Sequence, residues 1–311
     1  MKFGAYLINP PNLPYAAGGR SAADFGGEAA SVTSPGYLRE CARHAEELGF
    51  DSIWFPDHVV IPASYSSRYP YQEYEGGEYR RYPYDETAFP EPMTALAYIA
   101  GATDRIKLRT GVLILPERNP VLFAKELGTL DSLSGGRVEL GIGIGWLREE
   151  FEALGISWPN RGRRCDEYIE AMQEIWNNEV ASYHGEFVSF SEIRCDPKPV
   201  QPGGIPLIVG GHTEAAAIRA GRYGAGYLPL GYHQASDGFE FMDAMREAAE
   251  QAGRDPDAIE LSAGGAPDVD YLEQLAEAGI DHVFLQAWQP TIEAAKEGLQ
   301  RIAEDIIPKF R

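Results

Sequence analysis

The 311-residue sequence is poor in cysteine, in positive charge and in long apolar runs. Its three cysteines, Cys41, Cys165 and Cys195, lie far apart without CxxC spacing. That pattern argues against a disulfide framework or a structural zinc site and fits a reducing compartment. The six histidines are dispersed, with no HExxH or paired metal spacing, so no metal is expected at the functional site. Neither a GxSxG elbow nor a GxxxxGK(S/T) loop occurs. Lys and Arg number 27 against 47 Asp and Glu, a formal net charge of -20, which repels phosphate backbones and argues against a nucleic-acid partner. No run approaches the ~18 apolar residues of a membrane span, and the N-terminus lacks the apolar core of a signal peptide. A cytoplasmic protein with no membrane partner is expected.

What is present is alternation. Short β-rich runs alternate with longer amphipathic segments, the pattern of parallel βα units. The strands read as KFGAYLI, DSIWF, IKLRTGVLI, RVELGIGI, IPLIVGG, AGYLPLG, AIELSAGG and DHVFLQ, most of them followed by a helical pattern. The first helix is expected to start near Ser34-Pro35 and to end at Gly49. A hairpin, SYHGEFVSFSEI, is expected before the fifth strand, and the closing helix is expected over TIEAAKEGLQRIAEDII. Such a count suits a closed TIM (β/α)8 barrel forming one domain over residues 1–311, with an open doubly wound sheet as the other arrangement. The longest irregular segment runs from Val59 to about Pro92 and holds Tyr65, Tyr69, Tyr71, Tyr74, Tyr79, Tyr82 and Tyr84. A tyrosine-rich loop of that length is expected to serve as a lid or subunit contact.

Active sites of such barrels lie at the C-terminal ends of the strands. That rule selects Asp57 and His58, Gly111 and Val112, Gly143 to Trp146, and Gly210 to Thr213. Asp57 and His58 read as an anchor and a proton donor, or as a loop-capping pair. In VGGHTEAAAI, glycines followed by a helix start suit an anion, although a tight βα turn needs the same residues. GIGIGW fails as a dinucleotide fingerprint, because Trp146 stands where the third glycine should be. Its glycines keep the strand slim or let a flat ring approach the backbone at Gly145. Trp146 would then be a substrate wall. Glu149 and Glu150 read as acids at a helix start.

The run TDRIKLRTGVLILPERNPVLFAKELGTLDSLSGGRVELGIGIGWLREEFEALGI resembles the bacterial luciferase-like flavin-dependent oxidoreductases, and within them the branch that uses the deazaflavin coenzyme F420. GFDSIWFPDHV, RGRRCDEYIEAM, YHGEFVSF and DPKPVQPGGIPLIVGG extend the likeness over most of the chain. The resemblance implies a TIM barrel, usually a homodimer, with the ring system held at the strand ends. It implies that Asp57 contacts the cofactor and that His58 is the catalytic proton donor. It also implies a non-prolyl cis peptide at Gly111-Val112 backing the ring. Ile144, Gly145 and Glu149 would lie near the ribityl chain, and Gly210, Gly211, His212 and Thr213 would hold the phosphate. Relatives acting on glucose 6-phosphate carry glutamate where this chain has Trp146, so a bulkier or more apolar organic substrate is expected. The implied activity is hydride transfer between F420 and that substrate. The alternatives are an FMN-dependent monooxygenase using O2 and a non-catalytic flavin-binding barrel.

Overall fold

A computed structural model describes residues 1–8, 34, 36–70, 89–229, 240–287 and 291–311. The elements follow the expected alternation. They run β1 (Lys2–Tyr6), α1 (Tyr37–Glu47), β2 (Ser52–Phe55), α2 (Pro92–Ala100), β3 (Lys107–Thr110), β4 (Leu113–Ile114), α3 (Pro120–Ser134), β5 (Val138–Gly143), α4 (Arg148–Ala153) and α5 (Arg161–Asn177). The chain continues through β6 (Ala181–His184), β7 (Ser189–Ile193), β8 (Leu207–Gly210), α6 (Glu214–Tyr223), β9 (Gly226–Leu228), α7 (Met242–Gln251), β10 (Glu260–Gly265), α8 (Val269–Glu277), β11 (His282–Gln286) and α9 (Ile292–Arg301).

The large sheet has nine strands, ordered β3-β2-β1-β11-β10-β9-β8-β5-β4, and β3 also pairs with β5. Setting aside β4, which continues the path of β3, the ring closes through eight strands, every pairing parallel. The protein is therefore a TIM barrel, and the open sheet is excluded. β6 and β7 form the expected antiparallel hairpin outside the ring.

The third strand differs from its expected single run. Arg109 pairs with Glu139 and Leu113 with Ile142, so four steps on one strand meet three on the other. The extra residue is a bulge, and within it the Gly111-Val112 peptide is cis. Three glycines make room for this bulge. A Cβ on Gly141 would lie 1.8 Å from the Thr110 carbonyl oxygen, and one on Gly143 or Gly210 would lie 2.8 or 2.5 Å from a Val112 methyl. The glycines of β5 and β8 thus make room for the bulge that separates β3 from β4.

Helix ends explain two further differences. α1 begins at Tyr37 with Gly36 as its cap, later than Ser34-Pro35, and the Ser34 carbonyl accepts the Tyr37 N–H at 3.2 Å. Pro35 lies outside the described residues. The chain leaves α1 through Gly49 at φ +83°, a conformation that glycine adopts without strain. The last helix stops being α-helical at Arg301 and passes through a π-turn, Ile302–Ile306, into a short 3-10 turn containing Pro308.

Inside the barrel, an ionic group lies toward the N-terminal ends of the strands. Arg109 grips Glu139 and reaches Glu260 at 2.7 Å, and His282 Nε2 lies 2.8 Å from the Ser52 hydroxyl. Trp54 stacks on Phe284, which stacks on Tyr6. This filled interior leaves the C-terminal rim as the place for chemistry. Among the described residues no helix is long and apolar enough to cross a membrane.

Candidate active site

β2 delivers Asp57 and His58 to the rim, and their side chains do different things. The Asp57 carboxylate is fully buried. It accepts the Ile114 N–H at 2.8 Å and is clamped by both terminal nitrogens of Arg118, Nη2 at 2.8 Å. Arg118 Nη1 also donates to the Ile114 carbonyl at 3.1 Å. Asp57 therefore ties the end of β2 to β4, just past the bulge, and contributes shape to the rim through Ile114.

His58 is 8% exposed and its Nδ1 lies 2.8 Å from Glu150 Oε2. Glu150 is wholly buried, and its other oxygen accepts the Val59 and Val60 N–H groups at 2.6 and 3.1 Å. A carboxylate accepting from Nδ1–H fixes the orientation and tautomer of the imidazole. The ring sits edge-on to Phe89 and Trp146, with centroids 5.3 and 6.0 Å away.

α4 carries both acids expected at a helix start, and both serve the loop that follows His58. Glu149 was expected near the ribityl chain. Its Oε1 accepts the Ser66 N–H at 2.7 Å, the Ser66 hydroxyl at 2.9 Å and the Ser67 N–H at 3.2 Å. Its burial works against ionisation, but bonds from Ser67 and Ser66 outweigh this and hold the carboxyl down at about 2. Glu149 and Glu150 together fasten both ends of the 59–67 segment to one short helix. Tyr65 within this segment and Tyr69 just beyond it meet Trp146 edge-on at 6.0 and 5.2 Å. Trp146 is thus the centre of an aromatic wall beside His58. Tyr71, Tyr74, Tyr79, Tyr82 and Tyr84 lie outside the described residues.

Gly145 has φ +77°, and a Cβ there would lie 2.7 Å from Phe151 and 2.9 Å from the Ile114 γ-methyl. Its glycine is required by the turn and by this packing, and the space a side chain would take is filled by protein. Ile144 beside it is half-buried. Arg161, on α5, donates to the Gly145 carbonyl at 3.2 Å and lies over the Trp158 ring.

On the far side of Val112, Gly210 ends β8 and Gly211 turns at φ +143°. His212 follows with a buried Nδ1 that has no hydrogen-bond partner among the described residues. Thr213 is exposed, and its hydroxyl caps α6 by accepting the Ala216 N–H at 3.2 Å. An orphaned ring nitrogen at the start of a ten-residue helix fits an anion such as a phosphate. The rim thus joins His58, the bulge, the Trp146 turn and this helix start through Ile114 and Val112. The sequence does not point to Glu150 as the partner of His58, nor to Arg118 or Glu117. The only available signals were a carboxylate at a strand end that needs a cation, and paired acids beside a selected turn.

Comparison with known proteins bears on the fold and the family. The chain is 31% identical over 280 residues to an uncharacterised Mycobacterium tuberculosis protein, covering 86% of this chain and 93% of that one. It is 30% identical over 226 residues to the F420-dependent glucose-6-phosphate dehydrogenase of Kineococcus radiotolerans, covering 71% of this chain and 60% of the relative. Similarity to the FMNH(2)-dependent dimethylsulfone monooxygenase of Pseudomonas putida is 34% over 144 residues, or 45% of this chain and 39% of the relative. Among solved structures, the coenzyme F420-dependent tetrahydromethanopterin reductase of Methanopyrus kandleri superposes with TM-score 0.71 at 18% identity, over 100% of this chain and 99% of that one. The long-chain alkane monooxygenase LadA superposes with TM-score 0.77 at 15% identity, over 99% of this chain and 91% of that one. At such identities the two structures speak for the fold alone. The luciferase-like monooxygenase family model matches residues 3–306, and the chain belongs to that family.

Proposed function

We propose that the protein is a coenzyme F420-dependent oxidoreductase that transfers a hydride between the deazaflavin and an apolar organic substrate, with His58 handling the proton. The observation that carries this reading is the buried His58–Glu150 pair beside the aromatic face of Trp146. The relative named for F420 aligns with 71% of this chain and the relative named for FMNH(2) with 45%, which favours the deazaflavin.

The bound cofactor would supply the hydride chemistry. The chain's own residues do the rest. Val112, seated between Gly143 and Gly210, offers a fixed apolar surface at the centre of the rim. His212, Gly211 and the start of α6 would hold the phosphate. Ile114, fixed by Asp57 and Arg118, steadies the wall between the bulge and the Gly145 turn. In the reducing direction His58 gives a proton from Nε2 to the substrate atom that becomes basic; in the oxidising direction it takes that proton back. Glu150 holds the ring in place in either case, and positioned acid–base groups of this kind contribute roughly 10²–10⁴ in rate. Trp146, Tyr65 and Tyr69 favour an apolar or aromatic substrate over a sugar phosphate.

The test is a fluorescence titration of the cofactor-free protein with F420 and, separately, with FMN. Tighter F420 binding, followed by F420 turnover in a screen of apolar carbonyl and alkene substrates, is the expected result. Preference for FMN with substrate-coupled oxygen consumption would replace the proposal with a monooxygenase. Tight F420 binding without any turnover would make the protein a non-catalytic barrel.

A further inference from the structure

Beneath the His58 site lies a third carboxyl group with no assigned work. Glu117 follows β4 in a short 3-10 turn, its side chain wholly buried. Neither of its oxygens has a hydrogen-bond partner among the described residues. Its charged surroundings are Asp57 after β2, Glu150 on α4 and Arg118 next in sequence. Around these, among the described residues, lie His58, bound to Glu150, Glu91, 3.9 Å from Arg118 at the cap of α2, and Glu126 on α3, within reach of the charges of Glu91 and Arg118.

These groups divide into the committed and the uncommitted. Asp57 is satisfied by Ile114 and Arg118, and Glu150 by His58, Val59 and Val60. Arg118 Nη1 is spent on Asp57 and the Ile114 carbonyl, with Glu117 Oε2 at 3.9 Å. A third negative charge would lie in a dry region beside two others, with its nearest cation already engaged. Such a group keeps its proton.

We infer that Glu117 is a positioning residue of the His58 site that works uncharged: as a neutral acid it leaves Arg118 to Asp57, and on ionising it draws Arg118 away and unpins Ile114. This deepens the reading of His58 as the proton-handling group and rests on it for its catalytic consequence. The route from Glu117 to His58 is contiguous. Ile114 is pinned by Asp57 and packs into the space at Gly145, whose turn carries Trp146 and leads into α4 with Glu150. Loss of the Arg118–Asp57 grip therefore reaches the indole and the carboxylate that orient His58. Burial, reinforced by the charges of Glu150 and Asp57, pushes the Glu117 carboxyl up to about 9, so this change belongs to the alkaline range.

The test needs neither cofactor nor substrate, so its failure is distinct from failure of the F420 titration. Full-length protein labelled with 13C at the glutamate carboxyl carbons and at the isoleucine δ1 methyls is titrated by NMR from neutral to alkaline pH. The Glu117→Gln variant is titrated in parallel. The expected result is one glutamate carboxyl with a midpoint near 9, absent from E117Q. The Ile114 methyl should move with that midpoint in the unmodified protein and stay still in E117Q. Absence of any alkaline-titrating glutamate in the unmodified protein overturns the inference whether or not the variant folds. An Ile114 methyl that titrates alike in both proteins, or in neither, overturns the coupling.

Discussion

Glu150 Oε2 lies 2.8 Å from His58 Nδ1, although 92 positions of sequence separate the two residues. The other oxygen of the same carboxylate holds the Val59 and Val60 N–H groups, so one buried side chain orients both the imidazole and the backbone that follows it. Replacing Glu150 by Gln keeps the shape but removes the carboxylate that accepts from His58 Nδ1. The expected effect is a fall in kcat on the order of 10²-fold, with cofactor affinity nearly unchanged. Steady-state kinetics over a pH series would check it. An E150Q enzyme with an unaltered pH profile and kcat would remove Glu150 from the proton-handling unit.

Glu149 predicts a different phenotype. Its carboxyl is held at about 2, below its unfolded value of 4.5. A depressed carboxyl contributes stability above the unfolded value and loses it as pH falls through the folded one. The difference in Tm between the unmodified protein and Glu149→Gln should be constant above about 4.5 and vanish toward about 2. Solvent screening limits its size to roughly 0.5–1 kcal/mol. Proteolytic nicking near Ser66 should quicken in the variant, because its anchor there is lost. Equal nicking rates would mean that other contacts hold the segment.

Three glycines separate backbone strain from site shape. At Gly155, φ is +70° with open space for a Cβ, so Gly155→Ala should cost about 1–2 kcal/mol and leave cofactor binding alone. At Gly145 the φ of +77° is joined by contacts at 2.7 and 2.9 Å, so Gly145→Ala should cost more, about 2–4 kcal/mol. At Gly210 the φ is ordinary, but a Cβ would meet a Val112 methyl at 2.5 Å. Gly210→Ala should therefore weaken binding of the proposed cofactor beyond its effect on stability. Urea unfolding and cofactor titration on the same three variants would check the ordering, and undiminished affinity in G210A would detach Val112 from cofactor binding.

Much of the barrel is legible because strand and helix periods are local. Asp57, His58, Val112, Trp146 and Gly210 are legible as rim residues once strand ends are assigned. Pairings across the barrel are not. Nothing local to FPDHV or WLREEF says that His58 will meet Glu150, or that Asp57 will be claimed by Arg118. The run IKLRTGVLI reads as one strand because the bulge depends on room left by glycines on two other strands. Glu149 sits on a helix that points its carboxylate to Ser66, a contact set by the path of a loop that has no period to read.

Trp146 tests the substrate side. Its indole meets Tyr65, Tyr69 and His58 edge-on, so Trp146→Ala removes the centre of the wall rather than one isolated contact. With an apolar substrate identified by the screen, KM should rise about tenfold or more, the range for losing a packed aromatic contact of 1.4 kcal/mol or above. The kcat should change less, because Glu150 still orients His58. Unchanged KM would show that the substrate lies elsewhere on the rim.

Glu117 closes the set with a prediction whose sign is opposite to that of Glu149. Its carboxyl is raised to about 9 from an ordinary 4.5, so the folded state holds a proton that the unfolded chain releases between those values. The folded state is then favoured below 4.5, and this contribution drains away as pH rises toward 9. A glutamine at that position titrates in neither state. The Tm of Glu117→Gln relative to the unmodified protein should therefore climb steadily through that window and level off beyond it. A Tm difference independent of pH would mean that Glu117 is ionised in the folded protein at neutral pH. Arg118 would then be shared between two carboxylates rather than reserved for Asp57.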